Sequence, residues 1–202
     1  MELSQHHLGL IRIYLKELWE WNQHVNLTGL SSRKRIAIEL FFDSLIPAPY
    51  LPKSGKTLDA GSGAGFPGLP LKIVMPQWDM CLLEANRKKV SFLRHVIRLM
   101  KVEGIEVLKG RIEEKGGKAL TEKYDIITAR ALAPLDRTVV WCSPLLRPGG
   151  LLVSFLGAES RKALAEAEEV MKKHGLVLDR TIPYILPGGR KERQTLILKR
   201  VG

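Results

Sequence analysis

Leu8, Ile11, Leu15, Leu18 and Trp19 recur three and four positions apart, which lays an apolar face along a helix over residues 4 to about 25. Ser4 stands where a side-chain oxygen can accept from the free N–H groups of the first turn. The stretch Trp21-Asn22-Gln23-His24-Val25-Asn26-Leu27-Thr28-Gly29 is polar and turn-prone, and Ser31 or Ser32 then caps a second helix reaching about residue 45. Pro47, Pro49 and Pro52, with Gly55, break the periodicity. Residues 1–52 therefore read as an N-terminal helical extension and 53–202 as the main domain. From Lys56 the pattern changes to short apolar runs near 56–60, 79–84, 105–109, 124–129 and 151–156. Helical periods fall between them, near 67–75, 86–101, 111–118, 134–146 and 159–174. Such alternation specifies an α/β fold, a mostly parallel sheet covered by helices. The chain ends differently: residues 176–185 and 194–200 read as two strands joined by Pro187-Gly188-Gly189-Arg190-Lys191-Glu192. A hairpin added to a parallel sheet implies one antiparallel strand at the C-terminus.

Composition sharpens this picture at one point. Hydrophobic residues at 45% and charged residues at 26% are ordinary globular proportions, so disordered and fibrous classes drop out. Cys81 and Cys142 lie in apolar segments without metal-ligand spacing and read as buried thiols. The first residues do not follow a secretory pattern, and no apolar run approaches the roughly 20 residues of a membrane-spanning helix. A cytoplasmic monomer without membrane contact is expected. Charge is the exception: 32 Lys and Arg against 21 Asp and Glu leave a formal net charge of +11. A surplus of that size attracts polyanions, which makes nucleic acid the leading partner class and solubility the plain alternative.

Candidate chemistry concentrates in Thr57-Leu58-Asp59-Ala60-Gly61-Ser62-Gly63-Ala64-Gly65-Phe66-Pro67-Gly68, where an apolar strand runs into glycines and then a helix opening with Pro67. Glycine allows a sharp turn and close approach of a ligand, and the helix start offers free N–H groups. Gly63, Gly65 and Gly68 satisfy a dinucleotide spacing, with Glu84 placed as a ribose-binding acid. Gly61, Gly63 and Gly65 satisfy another. There Asp59 suits a ligand carrying an amino group and a sulfonium, such as S-adenosylmethionine, better than a pyrophosphate. A purely structural turn is the third reading. Ile112, Glu113 and Arg130 follow strand ends and so belong to the same crevice. Glu113 also reads as an exposed first-turn acid favoured by the helix dipole. Arg130 ends an apolar strand and needs a partner there, whether a ligand, a nearby acid such as Glu113, or RNA.

The blocks Trp21-Asn22 to Asn26-Leu27-Thr28, Phe42-Asp43-Ser44-Leu45, Asp59 to Pro70, Lys88-Lys89-Val90-Ser91-Phe92-Leu93-Arg94, Arg111-Ile112-Glu113 and Arg130-Ala131 come in order and cover nearly the whole chain. In them the chain resembles the bacterial GidB (RsmG) family, the 16S ribosomal RNA guanine-N7 methyltransferases. The resemblance implies a Rossmann-like class I methyltransferase fold and S-adenosyl-L-methionine as cofactor. It also implies contacts to that cofactor from Gly61, Phe66, Ile112, Glu113 and Arg130, and 16S ribosomal RNA or the small ribosomal subunit as partner. Glu84, where some relatives have Asp, keeps the ribose role with altered reach.

Basic residues supply the RNA-binding candidates. On a helix over 86–101, Arg87, Arg94, Arg98 and Lys101 form one stripe, and Val90, Leu93, Ile97 and Met100 form the adjoining apolar face. Arg33-Lys34-Arg35 and Arg190-Lys191, with Arg193, are further candidates, each weighed against a merely solvated face. Tyr14, Trp19 and Trp21 have the chemistry to stack on bases, although helical spacing favours the core. Guanine N7 carries a lone pair and no proton, so methyl transfer to it needs alignment and no general base. Accordingly no catalytic residue is assigned, and the scattered histidines suggest no metal site. The competing readings are a nicotinamide- or flavin-dependent oxidoreductase and a non-catalytic ribosome-binding module.

Overall fold

The computed structural model describes residues 2–114, 121, 123–157 and 160–202. Helix α1, Gln5–Asn22, starts on Ser4, whose hydroxyl accepts from His7 N while the His7 ring accepts from Ser4 N. Ser32 caps the second helical run, which has three parts: α2 (Arg33–Arg35), a π-helical segment (Ile36–Phe42) and α3 (Asp43–Leu45). Regular α-helix was expected throughout. Instead the Asp43 N–H reaches the Ile38 carbonyl, five residues earlier, and the widened turn re-aims Asp43 and the carbonyls before it. A 3-10 turn, Ala48–Tyr50, uses the prolines.

The sheet is built from β1 (Gly55–Ala60), β2 (Trp78–Glu84), β3 (Ile105–Lys109), β4 (Tyr124–Arg130), β5 (Leu146–Leu156), β6 (Leu176–Ile185) and β7 (Glu192–Arg200). Its order is β3-β2-β1-β4-β5-β7-β6. β7 alone runs antiparallel, wedged between β5 and β6, as the C-terminal hairpin requires. β5 begins five residues before the expected start, with Leu146 opposite Tyr124. A register break between Tyr124 and Ile126 lets Pro148, Gly149 and Gly150 stay within the strand.

Helices α4 (Gly68–Val74) and α5 (Arg87–Met100) cover one face. α6 (Leu135–Cys142) and α7 (Ser160–Lys173) cover the other. α4 starts one residue after Pro67, which caps it. Of the helix expected over 111–118, residues 112–114 form a turn and 115–118 lie outside the described residues, as does position 159 at the start of α7. The first apolar cluster joins Tyr14, Leu18 and Phe41 of the N-terminal segment to Leu69, Trp78, Phe92 and Val96. The second gathers Leu58, Ile127, Val139, Cys142, Ala167 and Met171. Cys81 and Cys142 are buried free thiols. Among the described residues no helix is long and apolar enough to cross a membrane.

Candidate functional site

The glycine turn leaves β1 at the end where the parallel strands finish. Gly61 N and Ser62 N both donate to the Leu83 carbonyl, at 2.9 and 3.0 Å, which binds the turn to β2. Gly61 and Gly63 adopt φ of 72° and 60°, a region that side chains strain to enter. A Cβ on Gly61 would lie 2.8 Å from Leu132 Cδ1, so the turn approaches the β4–α6 loop closely. Glu84, ending β2, receives Gly63 N–H on one oxygen at 2.8 Å and Asn86 N–H on the other at 2.7 Å. Gly110 N donates to the Glu84 carbonyl at 3.1 Å, which brings the start of the 110–114 segment beside it. Ile112 is buried against that side of the sheet, while Glu113 is exposed and meets Arg111 at 3.4 Å.

The packing turns two side chains expected at the ligand, Asp59 and Phe66, into the interior. Asp59 has no exposed surface: Thr128 Oγ1 donates to one carboxylate oxygen at 2.7 Å and Gly68 N to the other at 3.1 Å. The carboxylate therefore points into the sheet–α4 layer and reaches a ligand only through the loop it holds. Burial pushes its pKa up to about 6, against the bonds from Thr128 and Gly68. Phe66 directs its ring onto Tyr14, 5.4 Å between centroids, and is buried, which makes the ring an anchor for the loop. Tyr14 in turn donates to the Ala64 carbonyl at 2.8 Å and is fully buried, so it does not stack on bases. Trp21 packs edge-on against Phe92, and Trp19 lies under the Arg33 guanidinium.

The acid that meets Arg130 is Asp43 and not Glu113. Its guanidinium meets Asp43 at 3.1 Å and donates to the carbonyls of Leu40 and Glu39, at 3.3 and 2.5 Å. Burial lowers its pKa, and the Asp43 charge opposes that shift. Asp43 also accepts from Tyr184 Oη at 2.9 Å and Arg193 at 3.4 Å. Burial raises the Tyr184 pKa, and Asp43 adds to the rise, so the phenol remains a donor. Asp43 and Tyr184 escaped sequence reasoning, since only the π-helical turn aims Asp43 at β4 and β6. The Phe42-Asp43-Ser44-Leu45 block was the available signal.

This network walls a cavity of about 330 Å³ at the carboxyl ends of β4 and β5, lined by Arg130, Leu132, Ser154, Phe155, Tyr184 and Arg193 among others. Leu132 separates it from Gly61. A groove of about 490 Å³ adjoins it and brings Lys34 and Arg35 opposite Arg190, Lys191 and Arg193. Two runs distant in sequence thus face each other, whereas Arg33 sits over Trp19. Arg87, Arg94, Arg98 and Lys101 are all exposed on or just beyond α5, and Arg94 donates to the Val107 carbonyl of β3, the opposite edge of the sheet. The structure leaves them outside the groove.

A family model described as GidB, rRNA small subunit methyltransferase G, matches residues 7–188. The ribosomal RNA small subunit methyltransferase G of Alkaliphilus oremlandii is 35% identical over 204 residues, covering 100% of this chain and 85% of the relative. That of Brevibacillus brevis is 35% identical over 191 residues, covering 93% and 80%. Among solved structures, the precorrin-6y C5,15-methyltransferase of Geobacter metallireducens matches 85% of this chain and 90% of its own, with TM-score 0.59 and 12% identity. TYW2 of P. horikoshii, solved in complex with MeSAdo, matches 79% and 62%, with TM-score 0.61 and 16% identity. At such identities these two share the fold.

Proposed function

The chain belongs to the GidB family, rRNA small subunit methyltransferase G, and we propose that it transfers the methyl group of S-adenosylmethionine to N7 of a guanine in cytoplasmic 16S ribosomal RNA. The observation that carries this reading is the glycine turn with Glu84 fastened to it, set beside a cavity edged by Arg130 and Arg193. The residues present fit the cofactor. Each Glu84 oxygen has one backbone donor and keeps a free lone pair, enough to accept from ribose hydroxyls. Gly63 leaves the turn open to a ligand while Leu132 packs over Gly61, and Ile112 and Glu113 stand on the strand-end segment next to Glu84.

Bound there, the cofactor supplies an electrophilic methyl on a sulfonium sulfur. The guanine N7 lone pair forms the new N–C bond, the S–C electron pair stays on sulfur, and no proton moves. The chain has to hold both reactants in line and exclude water; correct alignment alone contributes about 7–11 kcal/mol in the best cases. Leu132, lying between the glycine turn and the cavity, is placed to pack against both reactants.

Incubating the protein with labelled S-adenosylmethionine and small ribosomal subunits, then digesting the RNA to nucleosides, tests the reading. Label in 7-methylguanosine of 16S RNA is expected; label in another nucleoside, or none, overturns it. In calorimetry Gly61→Val should abolish cofactor binding, because its side chain would collide with Leu132 at a backbone φ of 72°. Unchanged affinity would move the site elsewhere.

A further inference from the structure

Three guanidinium groups share two carboxylates at the mouth of the cavity. Arg35 takes Glu39 through two nitrogens, at 2.6 and 3.2 Å, and Arg130 takes Asp43 at 3.1 Å. Arg193 is left with the long contacts, 3.4 Å to Asp43 and 3.8 Å to Glu39. Its side chain is also the more accessible, 30% exposed against 16% for Arg130. Arg193 lines both the cavity and the adjoining groove. Along that groove Lys34, Arg190 and Lys191 are exposed and make no ion pair among the described residues, and Glu39 is the one acid in its described lining. β6 runs parallel to β5, so the 186–191 turn stands at the same end of the sheet as the glycine turn.

A concave strip with a surplus guanidinium and unpaired cations suits a chain of phosphates spaced along it. We propose that the groove between residues 34–39 and 186–193 seats the phosphodiester backbone of an unpaired RNA strand, with Arg193 holding the phosphate beside the base that enters the cavity. The strand must be unpaired, because a base enters a concave site beside its backbone track only when out of its stack. The proposal rests on the RNA-methylation reading. It extends that reading to Arg190, Lys191 and Arg193, beyond residue 188 where the family match ends.

The test titrates the full chain with a fluorescent, unpaired RNA oligonucleotide of mixed sequence over a series of salt concentrations. The exposed pair Arg190→Gln with Lys191→Gln should reduce the slope of log affinity against log salt by about 1.4, and Arg193→Gln by about 0.7. Arg193→Lys should restore part of the loss. With small subunits as substrate, Arg193→Gln should raise KM about tenfold or more, as expected for a lost phosphate contact, and leave the cofactor Kd unchanged. Unchanged slopes in both Gln variants would overturn the proposal. If the parent methylates 16S RNA and the slopes do not move, the groove assignment fails alone; if the slopes fall but no methyl is transferred, the functional reading fails and the RNA track stands.

Discussion

Asp59 shows how far a residue's place in the chain can differ from its job. The acid at the strand end was legible, but its direction was not: alternate strand positions face opposite layers, and Asp59 falls on the α4 side. Its folded pKa of about 6 lies above the ordinary 3.8, so between those values the native state holds the proton that the unfolded chain has released. Stability attributable to Asp59 is therefore full near pH 4 and falls as pH rises to about 6, by about 3 kcal/mol. Asp59→Asn can bond Gly68 and Thr128 without ionising, and urea titrations from pH 4 to 7 should show the variant gaining on the parent as pH rises. A constant difference would mean that Asp59 does not titrate there. Arg130 makes the complementary case. Its need for a partner was legible, yet the partner came from a segment 87 residues earlier, Asp43. Arg130→Met should cost about 1–3 kcal/mol in urea unfolding, because it takes a charged partner from a buried carboxylate that keeps Tyr184 and Arg193. Adding Asp43→Asn should cost less than the sum of the single effects.

At the scale of elements, α1 acts on the site from behind, while the π-helical segment both orders Asp43 and lines the groove through Ile38 and Glu39. The amphipathic pattern of α1 was readable, and Leu10, Tyr14 and Leu18 are its buried face. What that face covers was not readable, since periodicity identifies a face and never its neighbour. It covers the glycine loop, through Tyr14 to Ala64 and Phe66. Tyr14→Phe leaves the Ala64 carbonyl without its donor and should cost about 1–3 kcal/mol of stability. If the hydroxyl also sets the loop, calorimetry will show S-adenosylmethionine affinity falling several-fold; lost stability with unchanged affinity would restrict Tyr14 to the core. The π-helical turn is tied to tertiary contacts: Arg130 bonds the Leu40 and Glu39 carbonyls within it, and Arg130 and Arg193 both meet Asp43 at its end. No local propensity encodes those contacts.

For the whole molecule, one apolar cluster joins α1, the 33–45 helical run, α4, α5 and the sheet, and Trp78 Nε1 donates to the Pro52 carbonyl at 2.9 Å across the expected domain boundary. Calorimetry of the full chain should show a single unfolding transition. A chain beginning at residue 53 would expose Leu69, Phe92 and Val96, and should lack cooperative unfolding and cofactor binding. Two separate transitions in the full chain would support a boundary near residue 52. The sequence by itself determined the α/β class, the strand and helix order, the glycine turn and Glu84 beside it, because periodicity and backbone constraint act over a few residues. It also carried the family, through the blocks from Trp21-Asn22 to Arg130-Ala131. Only the tertiary structure decided that Asp59 faces inward, that Asp43 answers Arg130, and that Lys34 and Arg35 meet Arg190, Lys191 and Arg193 across one groove. Those are contacts between segments far apart in sequence, selected by burial and charge when the layers close, and no local pattern records them.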